Sequence, residues 1–490
     1  MNITDPIRAH ARATPDAPAI LRRNGAVTYR QLDRLLDALA LRAIELGLAP
    51  GDRVGLAFPD TPGSQAAYRF LTLALAMARI GVATKAAEPD DEGFAACLMA
   101  DATTRTRAPR RVVVDGGWFE SPPASVEIAA VPASAGGSAV CRVFSTSGTT
   151  GTSKRVAISH EIMNRRIEGG TRLGPYPQRP VVVVHIGPWS GVGFRNMLRA
   201  LHAGGAILLA RRPDEILHGV IRRGVNYMLL APATLAAIVD AIPAGHGPFP
   251  GLEWVEVTGS FLPQPLYEKA RTRLTPNIVT SYGSTEAGNI AWARRADLEG
   301  SPGAVGFLLP WVEVEAVDAD GAPLPAGEVG EIRIRTRTAV ACYEGDDRAT
   351  ASAFRNGWFH PGDLGSVSAD RMLSIVGRVS DLINIGGNKV GPRVVEDALL
   401  GVPGIADAAA FGVPDANGIP EVWAAIVVRG TLARSQLDAT CRGLAFAAPK
   451  RILTMDALPR NANGKVLRDE LVRLALSAPG AAAASRGASS

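Results

Sequence analysis

The sequence predicts an α/β protein with a β-rich part and a smaller C-terminal α+β unit. Three observations lead to this prediction. Short apolar runs of strand character alternate with segments of helical periodicity through the first part of the chain, which favours α/β layers with largely parallel sheets. Between residues 305 and 338 the pattern changes to short strands with alternating side chains. The 490 residues, of which 47% are apolar and 20% charged, suffice for roughly three globular domains.

The N-terminal elements follow from hydrophobic periodicity. Apolar residues at helical spacing predict a helix over 29–48, then a short strand over 52–58 and a second helix over 65–79. Residues 116–138 are rich in Gly, Pro, Ser and Ala and therefore predict a surface connection.

The central and C-terminal elements follow in order. Short apolar runs predict the strands of the central part, at 140–145, 181–184, 206–210, 227–230, 254–257 and 278–280. A compact α+β segment is expected over 390–475. The Ala-, Gly- and Ser-rich residues 477–490 predict a disordered tail.

Charge and hydropathy exclude several classes of protein. Lysine plus arginine number 52 and aspartate plus glutamate 47, a formal net charge of +5, which argues against a nucleic-acid partner. The longest uncharged stretch, 224–239, is shorter than the roughly 18 residues of a membrane span, and no signal-peptide pattern opens the chain. We expect a cytoplasmic protein without a membrane span, either a monomer or a homodimer.

The four cysteines, Cys97, Cys141, Cys342 and Cys441, stand far apart in the sequence. No CxxC or Cys/His cluster occurs, which argues against a zinc site and against a disulfide framework. We expect four buried free thiols in a reducing compartment.

A loop rich in glycine and hydroxyl groups follows the strand predicted at 140–145. The backbone N–H groups of such a loop can surround an anion, and Lys154 can neutralise phosphate charge. The loop is not a Walker A motif, because Ser153 rather than glycine precedes the lysine. The alternative is a flexible surface loop. The candidate phosphate-binding residues are Thr146, Ser147, Gly148, Thr149, Thr150, Gly151 and Lys154.

A second motif, Ser281–Glu286, places an aromatic ring, a hydroxyl group and a carboxylate directly after a predicted strand. Tyr282 can stack on a purine, and Glu286 can hold Mg²⁺ through oxygen. The alternative is a buried tyrosine near a turn.

Three further motifs lie in the C-terminal part of the chain. Asp363 stands between glycines, where a carboxylate can accept hydrogen bonds from ribose hydroxyls; the alternative is a turn-forming aspartate. The segment 377–390 contains Arg378. Lys465 follows Asn and Gly on a loop near the C-terminus, from which it can carry positive charge to a site elsewhere; the alternative is a solvated lysine on an exposed turn.

The order and spacing of the five motifs resemble the adenylate-forming superfamily, which includes acyl-CoA synthetases, nonribosomal peptide adenylation domains and luciferase-like enzymes. The resemblance begins at Val27–Asp33 and Gly51–Val54, continues through Gly327–Ile332 and ends at Lys465. It is nearest to the AMP-forming acyl-CoA synthetases.

The resemblance implies a domain organisation. A large N-terminal domain over 1–379 would contain two α/β subdomains and a small β-barrel. A mobile C-terminal domain over 380–476 would carry Lys465 and rotate about a hinge at Ser380.

The resemblance also implies cofactors and roles. ATP and Mg²⁺ would bind in the N-terminal domain, and CoA or a carrier-protein phosphopantetheine would supply the acceptor thiol. The loop from Thr146 to Lys154 would close over the β- and γ-phosphates. Tyr282, beside Ser281 and Gly283, would stack on adenine, Thr285 would contact the α-phosphate and Glu286 would ligate Mg²⁺. Asp363 would bind the ribose with support from Arg378. Lys465 would bridge the substrate carboxylate and the α-phosphate, and Gly386 and Gly387 would line the thiol tunnel. Lys465, Thr285 and Glu286 are the expected catalytic residues.

The expected acyl pocket combines aromatic and small residues: Trp189, Gly191, Phe194, Gly259, Ser260 and Phe261. This composition indicates an apolar pocket for an aromatic or medium-sized hydrophobic acid. For Trp189 and Phe194 the alternative is ordinary core packing. The chain departs from the usual family pattern at Ser153, Arg155, Pro361, Ser380 and Gly191.

The implied reaction is ATP-dependent activation of a small carboxylic acid as an acyl-adenylate, followed by transfer to a thiol, with CoA as the expected acceptor. One alternative keeps the adenylation but transfers the acyl group to an acyl carrier protein or to an amine. A second alternative, motivated by the departures, is a catalytically inactive nucleotide-binding homologue.

Overall fold

The computed structural model describes residues 1–23, 25–58, 64–89, 91–120, 131, 136–146, 154–173, 176–301, 303–385, 388–415, 419–460 and 466–477. The predicted α/β class with a separate C-terminal domain is confirmed. The disordered tail was predicted over 477–490, but Ser477 is the last residue of a C-terminal helix. Residues 478–490 lie outside the described residues, together with 147–153, 386–387 and 461–465.

Strands and helices occur in every part of the described chain. The strands are β1 (Pro18–Arg22), β2 (Gly25–Thr28), β3 (Arg53–Ala57), β4 (Ala83–Ala86), β5 (Ala96–Met99), β6 (Arg111–Val113), β7 (Val140–Thr146), β8 (Lys154–Ser159), β9 (Val181–Val184), β10 (Ala206–Leu208), β11 (Tyr227–Leu230), β12 (Trp254–Val257), β13 (Ile278–Ser284), β14 (Gly288–Arg294), β15 (Ala304–Leu308), β16 (Val312–Val317), β17 (Gly330–Thr336), β18 (Phe354–Arg355), β19 (Trp358–Phe359), β20 (Asp363–Val367), β21 (Met372–Arg378), β22 (Ile383–Ile385), β23 (Asn388–Val390), β24 (Ile405–Pro414), β25 (Pro420–Val428) and β26 (Arg451–Met455). The α-helices are α1 (Asp5–Ala13), α2 (Tyr29–Glu45), α3 (Ser64–Arg79), α4 (His160–Leu173), α5 (Gly191–His202), α6 (Pro213–Arg222), α7 (Pro232–Ala241), α8 (Gln264–Arg273), α9 (Asp347–Ala353), α10 (Pro392–Leu400), α11 (Arg434–Gly443) and α12 (Arg468–Ser477).

Helix α2 shows how the local sequence sets an element. The Thr28 hydroxyl accepts the N–H of Gln31, and the Gln31 side chain accepts the N–H of Thr28, so that the two residues form a capping box. The apolar residues at helical spacing are buried in the core, among them Leu32, Leu36 and Leu39. The helix predicted over 29–48 is confirmed, and it ends three residues earlier than predicted.

The first sheet has the strand order β6-β5-β3-β4-β7-β8. Its neighbouring strands are parallel except for β8, which returns antiparallel to β7. The pairing sets Thr146 opposite Lys154 where the two strands meet their connecting loop. Both ends of the predicted phosphate loop therefore lie at one end of this strand pair.

The second sheet joins fifteen strands of the described chain in the order β18-β19-β17-β20-β21-β15-β14-β13-β12-β11-β9-β10-β1-β2, with β16 paired to β17. The strands from β1 through β10, β9, β11 and β12 to β13 are parallel, as predicted. From β13 to β18, including β16 on β17, the neighbours are antiparallel, and this β-rich part includes the segment predicted over 305–338. Ligands in such sheets bind beyond the carboxyl ends of the parallel strands, where β13 ends in Tyr282 and Ser284.

The C-terminal strands β24, β25 and β26 form a sheet of their own with an apolar cluster on each face. Side chains alternate along β24: Ala408 and Ala410 pack with α10 on one face, and Ala409 and Phe411 pack with α12 on the other. The two faces together give this domain its own core.

Two expectations from composition have different outcomes. Cys97 and Cys141 are buried, but the expectation of four buried thiols is wrong, because Cys342 is exposed and Cys441 is half-buried. Cys441 packs partly buried against the C-terminal apolar cluster, whereas Cys342 is exposed on the surface. In the part of the chain that the structure describes, no helix combines the length and apolar character needed to cross a membrane.

Candidate active site

Three of the predicted nucleotide-binding residues meet across the antiparallel part of the second sheet. Asp363 opens β20 and lies directly opposite Arg378, which ends β21. The Arg378 Nε is 3.1 Å from Asp363 Oδ1, and the Tyr282 hydroxyl donates a hydrogen bond to Asp363 Oδ2. Burial and the charge of Asp363 raise the pKa of Tyr282 well above its ordinary value, so this phenol stays protonated and continues to donate.

A second group centres on Glu286, whose side chain is buried. The Tyr343 hydroxyl donates to Glu286 Oε1 at 2.9 Å, and the Nζ of Lys154 lies 4.9 Å from the centroid of the Tyr343 ring. This is the range of a cation–π contact. Tyr343 therefore connects the predicted magnesium ligand to the lysine that ends the predicted phosphate loop.

The backbone of Thr285 and Glu286 is held by one arginine of α4. The Arg166 guanidinium donates to the carbonyl oxygens of Thr285 at 3.0 Å, Glu286 at 2.8 Å and Thr338 at 2.8 Å. Burial lowers the pKa of Arg166 to about 9. The Cβ of any residue at position 288 would lie 3.1 Å from Arg166 Nε, and Gly288 has a φ of +82°, so glycine suits this turn in both respects. Arg166 fixes the position of the catalytic segment predicted at 285–286.

The start of α5 lies against the same segment. The Ser190 hydroxyl accepts the N–H of Gly193 at 3.0 Å and caps the helix. A Cβ at Gly191 would lie 3.6 Å from the Thr285 methyl group and 3.7 Å from the Phe144 ring. The absence of a side chain at Gly191 therefore leaves space beside Thr285.

The aromatic residues of the expected acyl pocket have different surroundings. Trp189 is half-buried and packs edge-on against Phe70, with ring centroids 6.1 Å apart. Phe194 is fully buried, with its ring 6.3 Å from that of Phe144 and 5.1 Å from the guanidinium carbon of Arg142. The contacts of Phe194 are those of the core-packing alternative.

Residues 259–261, which were also assigned to the acyl pocket, follow strand β12. Gly259 and Ser260 are exposed just beyond β12. The Phe261 ring is covered by Arg393 of α10, whose guanidinium carbon lies 3.7 Å from the ring centroid. Phe261 thus contacts the C-terminal domain, and the described contacts do not join it to Gly191 or Phe194.

Of the remaining predicted site residues, three belong to the described part of the chain: Ser281, Gly283 and Ser380. Ser281 Oγ donates to Glu256 at 2.6 Å, and a Cβ at Gly283 would collide with the carbonyl oxygen of Gly288 at 2.3 Å. Ser380 lies in the turn Val379–Asp381 and donates to Asp381 at 2.9 Å. The predictions for Ser147, Gly148, Thr149, Thr150, Gly151, Gly386, Gly387 and Lys465 fall outside the described residues.

Sequence reasoning missed Arg166 and Tyr343. The helix α4 itself was not predicted, and the sequence does not distinguish its buried arginine, Arg166, from its exposed neighbour Arg165. Tyr343 stands alone in a segment without a motif. Only the packing of these segments against β13 and β14 brings both side chains to Glu286.

Two family models match the chain. The AMP-binding enzyme family matches residues 7–344, and the C-terminal domain of AMP-binding enzymes matches residues 394–465. The chain therefore belongs to the family of AMP-binding enzymes, and its resemblance to the adenylate-forming superfamily is confirmed.

Individual relatives are similar to this chain over nearly its full length. The chain is 29% identical to a feruloyl-CoA synthase of Amycolatopsis sp., over 96% of this chain and 98% of the relative. It is 28% identical to the fatty acid–[acyl-carrier-protein] ligase ScoC of Streptomyces coeruleorubidus, over 94% of each. The structure of the amide bond synthetase McbA from Marinactinospora thermotolerans superposes with a TM-score of 0.83 at 24% identity, covering 96% of this chain and 99% of that one.

Proposed function

We propose that this protein activates a carboxylic acid with ATP as an acyl-adenylate and then transfers the acyl group to the thiol of CoA. The observation that carries the proposal is a pair of networks. Tyr282–Asp363–Arg378 lies on the second sheet, and Glu286–Tyr343–Lys154 connects the turn after β13 to the start of β8 in the first sheet. The acyl-CoA synthetases among the relatives support CoA as the acceptor.

The first network suits a nucleoside. Asp363 is an acceptor-only group once ionised, and ribose hydroxyls are donors. Arg378 and Tyr282 hold the Asp363 carboxylate in place, so that its orientation is set before the nucleotide binds. We assign ribose binding to Asp363 and adenine contact to Tyr282.

The second network suits Mg²⁺ and phosphate. Mg²⁺ binds protein through one or two carboxylates and completes its shell with water and substrate phosphates. Glu286 fits this requirement: among the described residues, its Oε1 accepts from Tyr343 and no hydrogen bond reaches its Oε2. The bound ion would supply charge neutralisation at the phosphates. Lys154, on the far side of Tyr343, adds a second positive charge.

The chemistry needs positioning and charge stabilisation, because a carboxylate is already ionised at neutral pH. The substrate carboxylate oxygen forms a bond to the α-phosphorus, and the bond from that phosphorus to the bridging oxygen of pyrophosphate breaks. The thiol then loses its proton, its sulfur bonds to the acyl carbon, and AMP leaves with the electrons of the broken C–O bond. We assign Thr285 and Lys465 to the first step.

We further propose that residues 1–379 and 380–476 are the two moving units, with Ser380 at the hinge. The turn that contains Ser380 is tied to the C-terminal domain, since Arg468 is 3.1 Å from Asp381 and 2.6 Å from Glu396. Gly386 and Gly387 follow within the C-terminal unit, where we assign them to the path of the thiol.

Acceptor identity separates this proposal from two close alternatives. The relative ScoC is named as a ligase for an acyl-carrier-protein, and McbA is named as an amide bond synthetase. A carrier-protein thiol or an amine would use the same adenylation site. The catalytically inactive homologue, motivated by the departures from the family pattern, is the remaining alternative.

The test is ATP–pyrophosphate exchange with a panel of aryl, short-, medium- and long-chain acids. Acid-dependent exchange is expected, and the absence of exchange with every acid in protein that binds ATP would contradict the proposal. Product masses after offering CoA, carrier protein and amines together then identify the acceptor.

A further inference from the structure

One face of helix α5 begins beside the proposed adenylation site and contains two buried arginines. Gly191, Arg195 and Arg199 are spaced four residues apart, so they lie on the same helix face. Gly191 is beside Thr285. Long side chains on a helix lean towards its N-terminus. Arg195 lies one helical turn beyond Gly191, and helix geometry favours a side chain directed from there towards Gly191.

Arg195 is 7% exposed and has no hydrogen-bond or ion-pair partner among the described residues. Glu256 is the negative group whose charge acts on it. Both oxygens of Glu256 already accept hydrogen bonds, Oε1 from Ser281 at 2.6 Å and Oε2 from the Tyr227 hydroxyl. The Arg195 guanidinium has five N–H donors, and no acceptor among the described residues receives a hydrogen bond from it.

Glu256 balances part of the positive charge around Arg195, and two neighbouring arginines add to that charge. Arg199 stacks over Tyr176, with its guanidinium carbon 3.6 Å from the ring centroid, and brings another buried cation. Arg166 of α4 is also close, since the positive charge of Arg195 helps to lower the pKa of Arg166. Among the described residues, Glu256 acts on Arg195 and Glu286 acts on Arg166, so these two carboxylates face three buried arginines. An excess of buried positive charge is costly, and an anion from the ligand would offset it.

We propose that Arg195 binds a second carboxylate on the acid substrate, so that the protein activates short or aryl dicarboxylic acids. This inference rests on the proposed adenylation function and adds its substrate class. It replaces the expectation of an apolar acid, because that expectation considered aromatic and small residues but not the arginine one turn beyond Gly191.

The geometry limits the length of the acid. One helical turn of four residues spans about 6 Å at 1.5 Å per residue. The second carboxylate would therefore lie only a few carbon atoms from the one that reacts beside Thr285. A long alkyl chain does not fit this requirement, whereas glutarate or isophthalate does.

The test compares each diacid with its monoamide, which has nearly the same shape but lacks the second charge. ATP–pyrophosphate exchange is measured with glutarate against glutaramate and isophthalate against 3-carbamoylbenzoate. We expect kcat/KM to favour the diacids roughly tenfold or more, because a site with an unpaired charged donor discriminates strongly against the weaker acceptor.

Variants connect this preference to Arg195. Arg195→Met should lower exchange with the diacids, raise it with the monoamides and reverse the ratio; Arg195→Lys should retain part of the preference. Arg434→Met, at an exposed position of α11, is the matched control and should leave the ratio unchanged. Thermal unfolding of each variant checks that it is folded.

The outcomes are distinguishable. A wild-type preference for the monoamides, or a ratio unaltered by Arg195→Met in folded protein, overturns the inference while exchange itself still supports adenylation. Exchange with no acid of any class contradicts the proposed function, and the substrate assignment then fails with it.

Discussion

The Tyr343 hydroxyl donates a 2.9 Å hydrogen bond to Oε1 of the buried Glu286. The same ring faces the ammonium group of Lys154. One side chain therefore contacts both the proposed magnesium ligand and the lysine that we propose to face the phosphates. Because burial and the charge of Glu286 raise the pKa of Tyr343, the hydroxyl keeps its proton and remains a donor.

Tyr343→Phe separates these two roles, because it removes the hydroxyl and keeps the ring. A buried charged acceptor that loses its donor costs roughly 1–3 kcal/mol, and we expect exchange to fall about tenfold or more with a higher Mg²⁺ requirement. Mg²⁺ titration of the exchange rate measures this. Tyr343→Leu, which also removes the ring, should lose more; equal activity of the phenylalanine variant and wild type would show that the hydrogen bond is irrelevant.

Arg166→Met should destabilise the fold. The carbonyl oxygens of Thr285, Glu286 and Thr338 would lose their buried donor, and each unsatisfied group costs roughly 1–3 kcal/mol. We expect the free energy of unfolding to fall by about 3 kcal/mol or more, measured by urea denaturation. Arg165→Met, at the exposed neighbouring position, is the control and should change it little. Equal losses in the two variants would argue against the role of Arg166.

Acid pH should destabilise the protein through His160. This side chain is fully buried at the start of α4 and accepts the N–H of Ile3 at 3.2 Å. Burial lowers its pKa to about 4 from an ordinary 6.5. The unfolded state therefore binds a proton more readily, so the stability is complete above pH 6.5 and is lost as the pH falls towards 4.

The resulting loss in the free energy of unfolding is about 3 kcal/mol, because a difference of one pKa unit between the folded and unfolded states corresponds to about 1.4 kcal/mol. The free energy of unfolding, measured from pH 7 to pH 4, should fall more steeply for the wild type than for His160→Asn, which offers an acceptor that does not titrate. Parallel curves for the two proteins would refute the assignment.

Lys465→Ala should remove adenylation and spare thioester formation from a supplied acyl-adenylate. The lysine is assigned to the charge that develops between the substrate carboxylate and the α-phosphate, and such contacts are worth roughly 10²–10³ in rate. Pyrophosphate exchange and single-turnover thioester formation measure the two steps. Lys450→Ala, at an exposed position of the same domain, is the control. Equal loss in both steps would show that the role is wrong.

The sequence predicted much of the scaffold because strand and helix patterns are local. The apolar run Val181–Val184 is β9 at the same residues, and Trp254–Val257 is β12. The strand predicted at 278–280 continues to Ser284 as β13, because β14 folds back and pairs with its second half. That extension depends on a partner strand, which a local pattern does not reveal.

The motifs Ser281–Glu286 and the glycine-flanked Asp363 were recognisable because their residue types and spacing are characteristic along the chain. The contact between Tyr282 and Asp363, which are 81 residues apart, was decided by strand pairing. Arg166, Tyr343 and Arg195 had no sequence signal. Arginine is usually exposed, and only the surrounding fold determines that a particular one is buried and what it faces.

By itself, then, the sequence determined the α/β class and the order of the chemical motifs, because both follow from local patterns of residues close together along the chain. The tertiary structure decided which distant side chains share a site. It placed Tyr343 on Glu286 and left Arg195 buried one turn from Gly191, because burial and partner choice depend on how separate elements pack.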